Sequence, residues 1–395
     1  MRGDSGFSIL ELTISTGIML VVTASVFSLM NPAHGSFAAE PEISDMQQRL
    51  RVASDTLYKD LVMTGAGAYS GSNTGSLSSF FSPILPFRSG SLNDDPPGTY
   101  RTDSVTLYYV PATAGQTTIS QSMPGQSTEL KVDTPDNCPN DSNGNKKNLC
   151  GFDEGMKLLV YDDTGNFAAY TITNVQQDAA HLQVDKGNDT GWAPPVGSKV
   201  VQAAAANYSL KTDNANGVYQ LMYYDGGSNP DVPIVDDVVG LTFEYYGDPQ
   251  PAVMKKALSD PTGPWTTYGP KPSAVAVAPY AAGENCIFVN DGSPTPAPRL
   301  ATLAAAGTTL VKLTQAQLTD GPWCPNAASP ARWDADLLRI RKIGVTIRVQ
   351  SAVAALRGPA SALFTHGGTS PGGTKWVPDQ QVQFQVTPRN LNLGR

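Results

Sequence analysis

Residues Phe7 to Met30 read FSILELTISTGIMLVVTASVFSLM, an apolar run whose one charged side chain is Glu11. The run is 24 residues long. A helix of that length rises about 36 Å at ~1.5 Å per residue, enough to cross a hydrocarbon core of about 30 Å. The stretch therefore predicts a membrane-spanning helix over 7–30, preceded by the short polar leader Met1 to Gly6, and the remaining chain is read as the cargo of that anchor.

Glu11 stands out within the run. An ionisable side chain costs about 2.5 kcal/mol or more at the centre of a membrane helix and less near its ends, so it commonly has a partner or a task. Ser8, Glu11 and Ser15 recur at i, i+3 and i+7 and share a helix face, with Thr13 and Gly17 beside it. Polar and small side chains are the means by which helices recognise one another in lipid. Glu11 is expected to meet a partner group; the plainer alternative is a carboxylate resting at headgroup level.

Gly6-Phe7-Ser8-Ile9-Leu10-Glu11-Leu12 resembles the prepilin cleavage and methylation motif of type IV pilins and type II secretion pseudopilins. The resemblance implies cleavage between Gly6 and Phe7 by a prepilin peptidase, and methylation of the new Phe7 amine. It also implies a subunit-contact role for Glu11 toward other pilin subunits and extraction by an inner-membrane assembly platform. One departure is the leader, where Asp4 offsets Arg2 although such leaders are commonly more basic. A conventional secretory signal is the competing reading, with Ala33-His34-Gly35 or Ser36-Phe37-Ala38 as cleavage sites. The apolar run is longer than the usual ~7–15 residues of such signals. Gly3-Asp4-Ser5-Gly6 and Arg2-Gly3-Asp4 match a protease loop and an adhesive tripeptide, but both fall in the leader.

The chain has 395 residues, 16% of them charged, a net charge of −8 and a pI near 4.9. The length suffices for a sizeable core, and the low charge with abundant Ser, Thr, Gly, Ala and Pro suits an exported β-rich protein. The acidic balance argues against a general nucleic-acid binder, whose footprint would be basic. Four cysteines, Cys138, Cys150, Cys286 and Cys324, predict two disulfides in an oxidising compartment. Three connectivities are open; the local pairs Cys138–Cys150 and Cys286–Cys324 each close a segment rich in turn residues.

Asn31-Pro32-Ala33-His34-Gly35 predicts a helix break, and an amphipathic helix follows over 41–65. Its apolar stripe is Ile43, Met46, Leu50, Ala53, Leu57 and Leu61, with Arg49, Asp55, Lys59 and Asp60 on other faces. Residues 69–100 read as a long surface connection. Alternating segments at 104–110, 129–132, 156–161, 168–175, 182–184, 208–211, 219–224 and 238–246 predict antiparallel strands of a β-rich head over 100–250. Residues 251–335 read as a Pro/Ala/Gly-rich insertion, and 336–395 as the closing strands of the head, at 338–349 and 381–386, with a low-complexity loop between them. Gln47 to Gly67, VVGLTFEYYG, IRKIGVTIRV and VQFQVTPRNLNL resemble, more loosely, the helix and closing strands of PilW-like minor pilins and J-type pseudopilins. The fold class expected is α+β: a long N-terminal transmembrane and amphipathic helix, then a large antiparallel β-rich pilin-like head.

Chemistry-bearing motifs are sparse. His34, His181 and His366 stand far apart, and no Walker loop, GxSxG elbow, GxGxxG unit or HExxH pair occurs. Asp141-x-Asn143-x-Asn145 starts like a calcium loop, but Lys146 stands where the turn glycine belongs. No cofactor or metal is expected. Arg339, Arg341 and Arg348 would share a strand face if the register holds through the pair at Lys342 and Ile343, solvated by default or, alternatively, set against an acidic subunit or DNA. The function expected is that of a minor type IV pilin acting in pilus assembly, at a priming or tip position. It would sit in the inner membrane as a single-pass protein with a periplasmic head, then in the pilus. A J-type secretion pseudopilin, or an exported adhesin or surface enzyme, are the alternatives.

Overall fold

The computed structural model describes residues 8–68, 75–111, 115–135, 138, 140, 144, 148–186, 192–370 and 376–392, with backbone alone for 29–38. Gly6 and Phe7, and the Asp141, Asn143 and Asn145 segment, lie outside the described residues. The chain divides into two compact units, residues 1–51 with 348–381 and residues 52–347 with 382–395.

Helix α1 runs without interruption from Ile9 to Met63. The expected break at 31–35 does not occur. Proline and glycine inside a helix cost roughly 3 and 1 kcal/mol. Flanking turns that are already helical carry propagation through such a point, because each added residue gains a hydrogen bond without a new nucleation step. The helix stops at Met63, ahead of Gly65 in a left-handed conformation at φ 79°.

In the first unit Arg348 Nε donates to Asp379 Oδ2 at 2.9 Å, and the Thr365 backbone N–H and hydroxyl donate to the same oxygen at 2.7 and 2.8 Å. Glu42, nearly buried on α1, accepts the Ala352 N–H at 2.6 Å. The expected low-complexity loop is thus held by two carboxylates, at Ala352 and at Thr365.

In the second unit Ala53, Leu57 and Leu61, four residues apart on α1, are fully buried. Asp60, expected off the apolar stripe, is buried as well. Its carboxylate accepts the hydroxyls of Tyr208 at 2.6 Å and Tyr109 at 2.9 Å. A buried carboxylate is tolerated only with such donors. The charge of Asp60 and loss of water push both tyrosine hydroxyls well above their usual range, burial being the larger cause.

The strands follow in chain order. β1 (Ile84–Leu85) and β2 (Ser104–Tyr109) open a five-stranded sheet. The chain then leaves it to build a closed six-stranded barrel from β3 (Gln116–Gln121), β4 (Glu129–Val132), β5 (Lys157–Tyr161), β6 (Phe167–Gln176), β7 (His181–Asp185) and β8 (Lys199–Gln202). The barrel order is β3-β4-β7-β6-β5-β8. Alternate side chains, among them Ile119, Leu130, Leu158, Tyr170, Ile172 and Val200, fill its interior, as expected of a barrel this narrow. β9 (Ala204–Asp213), β10 (Val218–Tyr224) and β11 (Val232–Asp236) return to complete the first sheet in the order β1-β2-β9-β10-β11. The β9–β10 hairpin pairs Asp213 with Val218 and closes on Gly217, whose φ of 65° suits a residue without Cβ.

β12 (Val238–Gly247) begins a second, four-stranded sheet. Two short ladders lie between its members, β13 (Phe288–Val289) with β14 (Ala297–Pro298), and β16 (Trp323–Cys324) with β17 (Trp333–Asp334). β15 (Val311–Leu313), β18 (Ile340–Val349) and β19 (Gln380–Val386) complete it in the order β15-β12-β18-β19. Residues 251–335 therefore do more than interrupt the head, since β15 pairs with the end of β12, Leu313 opposite Tyr245. The expected surface connection at 69–100 also carries core: Leu77, Phe81, Ile84, Leu85 and Phe87 are buried. Phe81 stacks on Phe167 with ring centroids 4.2 Å apart.

Candidate functional site

Among the described residues one helical segment, Ile9–Ser28, is long and apolar enough to cross a membrane, and none of it is buried by the protein. Ile9 is 85% exposed and Leu20 71%. Hydroxyls inside hydrocarbon need partners on their own helix, and these have them. Thr13, Thr16, Thr23 and Ser25 each donate to the carbonyl four residues back, at 2.6 to 3.0 Å. Gly17 leaves open space around its Cα, so another helix can approach there closely.

The first turn explains part of Glu11. Ser8 Oγ accepts the Leu10 N–H at 3.2 Å, and Glu11 Oε2 accepts the Ser8 N–H at 3.0 Å. This is a reciprocal capping box, which satisfies backbone donors that a helix start leaves free and places negative charge at the positive end of the helix dipole. The Ser-x-x-Glu spacing carries that signal in the sequence, within the polar stripe of Ser8, Glu11 and Ser15. The carboxylate remains solvent-exposed in the single chain. Gly6 and Phe7, on the other side of Ser8, are outside the described residues.

The structure joins Cys138 to Cys150 and Cys286 to Cys324, with Cα–Cα distances of 5.4 and 5.1 Å. The first bond staples the connection between β4 and β5, beside Leu149 and Phe152 of the barrel core. The second ties residue 286 to β16 within the 251–335 segment.

The arginines do not form a surface patch. Arg339 lies in the 3-10 turn Ala335–Arg339 and is fully buried, paired with Asp336 and donating to the Asp248 and Ala301 carbonyls. Arg341 is 2% exposed, with Nε 2.8 Å from Asp248 Oδ2 and its guanidinium 4.8 Å from the Tyr268 ring centroid. Arg348 pairs with Asp379. Arg339 leaves the expected face because residues 335–339 form a turn, and Arg341 and Arg348, seven residues apart on an unbroken β18, fall on its buried and its partly exposed face. The solvated face and its nucleic-acid alternative fall with that correction for Arg339 and Arg341. Burial pushes Asp336 up to about 6, against the opposing pull of Arg339. Asp334, which accepts the Gly321 and Asp336 N–H groups at 2.7 and 2.8 Å, is pushed up to about 7, also chiefly by burial.

His181 pairs with Glu129, and His366 Nδ1 lies 3.1 Å from Gln350 Oε1. Among the described residues no three His, Cys, Asp or Glu side chains are grouped to hold a metal ion. A cleft of about 110 Å³ lies beside β6, walled by Phe167, Tyr170, Trp333, Lys186, Ser89 and Asp94. Loss of water within it pushes the Asp94 carboxyl up to about 6, although the Gly90 backbone N–H bonds to it. Ser89 Oγ is already engaged by the Tyr108 hydroxyl at 3.1 Å.

Neither a protein-family model nor a curated protein matches this sequence.

Proposed function

We propose that the chain is a minor type IV pilin of the PilW-like kind, held in the inner membrane by Ile9–Ser28 and recruited through Glu11 into a pilus at a priming or tip position. The observation that carries this reading is an unburied apolar helix with a single carboxylate in its first turn, beginning next to Gly6-Phe7. A disulfide-bonded, antiparallel β-rich body, which suits the periplasm and the cell surface, follows in the same chain. Cleavage after Gly6 by a prepilin peptidase creates a cationic amine on Phe7. Glu11 of one subunit and the Phe7 amine of the next then offset each other's cost at the membrane surface. A J-type pseudopilin would use the same chemistry in a secretion system.

The capping bond makes the test sharper, because Glu11 has a role in its own helix as well. Glu11→Gln keeps a carbonyl oxygen for the Ser8 N–H and removes the charge. The expected outcome is normal insertion and cleavage, with crosslinking to other pilin subunits and recovery in sheared filaments reduced at least tenfold. Wild-type recovery for Glu11→Gln would leave Glu11 a helix cap and nothing more. A bulky residue in place of Gly6 is expected to leave a full-length precursor in the membrane.

A further inference from the structure

We propose that β19 is a pairing edge through which two copies of this chain join as antiparallel strands about a two-fold axis at Gln383. The inference does not depend on the pilin reading.

A free sheet edge offers unpaired N–H and C=O groups to any extended strand, and proteins block such edges with short strands, proline, charge or bulges. The barrel has no edge. Three of the four edges of the five- and four-stranded sheets are blocked: β1 has two residues, β15 has three and bears Lys312, and β11 contains Pro233, ends at Asp236 and sits across a register irregularity at Leu221/Met222. β19 is the fourth. It has seven residues, Gln-Gln-Val-Gln-Phe-Gln-Val, with no proline and no charge, and among the described residues no strand lies beyond it. Gln381, Gln383 and Gln385 are exposed on one face, and Val382 and Phe384 are partly exposed on the other.

The occupant follows from the sequence of the strand itself. Gln383 is its midpoint, so two-fold pairing there uses the whole strand. It sets Val382 opposite Phe384, Gln381 opposite Gln385, and Gln383 opposite its own copy. Aromatic against β-branched is a favourable cross-strand pair, glutamines bond to one another, and no like charges meet. Lys342 of β18 holds Gln385 Oε1 at 3.0 Å, on the side away from the free edge. An isologous contact of this kind closes as a dimer.

The test uses the full chain in the membrane of the expressing cell. All four native cysteines are in disulfides, so an introduced thiol is the reactive one. With a short thiol–thiol crosslinker, Gln383→Cys is expected to give a dimer on a non-reducing gel. Gln381→Cys and Gln385→Cys are each expected to give little alone and a dimer when co-expressed. Val275→Cys, 68% exposed elsewhere, serves as the collision control. Gln383→Lys, which sets like charges face to face, should lower the dimer fraction of purified full-length protein severalfold while both native disulfides stay intact by peptide mapping. A Gln383→Cys dimer yield no higher than that of Val275→Cys overturns the proposal. So does equal crosslinking of all three β19 variants alone, or a dimer fraction unmoved by Gln383→Lys.

Discussion

Two stretches of one helix meet different surroundings. From Ile9 to Ser28 α1 is predominantly apolar and no side chain is buried, whereas from Val52 to Met63 a single apolar stripe, Ala53, Leu57 and Leu61, is buried and Val52, Tyr58 and Lys59 face outward. Both are helical, because the helix satisfies its backbone internally whatever surrounds it. The difference lies in where the polar groups go. In the first stretch hydroxyls fold back onto their own carbonyls and the carboxylate caps its own turn, while in the second the carboxylate of Asp60 reaches two tyrosines of the sheet. A helix that satisfies its polar groups by itself suits lipid; one that shares them belongs to a protein core.

The largest expected effect breaks this contrast directly. Leu57→Ala is expected to cost about 2–5 kcal/mol of folding stability, by lost burial and a residual cavity. Leu20→Ala should leave the thermal unfolding of the detergent-purified chain unchanged, since Leu20 is 71% exposed. Equal losses in the two variants would mean that the first stretch is also packed against protein.

Asp60 comes next. Asp60→Ala takes the acceptor from the part-buried Tyr109 hydroxyl and leaves that of Tyr208 only the Thr56 carbonyl at 3.4 Å, a cost of about 1–3 kcal/mol. Adding Tyr109→Phe and Tyr208→Phe should recover part of that loss in urea unfolding, because the orphaned hydroxyls are then gone. If the triple variant is less stable than Asp60→Ala, the contact works through packing rather than hydrogen bonding.

A third effect is one of pH and belongs to residues 52–347. Asp334, raised to about 7, and Asp336 and Asp94, raised to about 6, hold protons in the folded chain at pH values where the unfolded chain has lost them. Unfolding therefore releases protons between about pH 4 and 7, and the contribution of these groups to stability falls as pH rises through that window. Asp334→Asn is expected to make the fall shallower, while lowering stability throughout because an amide replaces one of two acceptor oxygens. An unchanged slope in melting temperature against pH would remove Asp334 from that account.

Several features were legible before folding. The apolar run, the stripe through Ala53, Leu57 and Leu61, and alternating strands such as Val238–Gly247 are local patterns, and their periods survive in the structure. β3, with Ile119 its one buried side chain, β8 with four residues, and β11 with a proline offered no such pattern. They are strands because barrel or sheet neighbours supply hydrogen bonds and burial. SFFSPILPF, residues 79–87, resembled a loop through its serines and prolines, yet most of its apolar side chains lie in the core.

The sequence by itself determined that one segment is long and apolar enough for a membrane, that a lone carboxylate marks its start, and that strands would dominate the remainder. These depend on residue type and spacing over a few turns. Only the tertiary structure decided that Arg339 and Arg341 lie inside, that Asp60 serves two tyrosines, that a barrel interrupts the first sheet, and that β19 is left at an open edge. Burial of a charge depends on partners far along the chain, and an edge is defined by the strand that is missing beside it. Neither is written in any local window of residues.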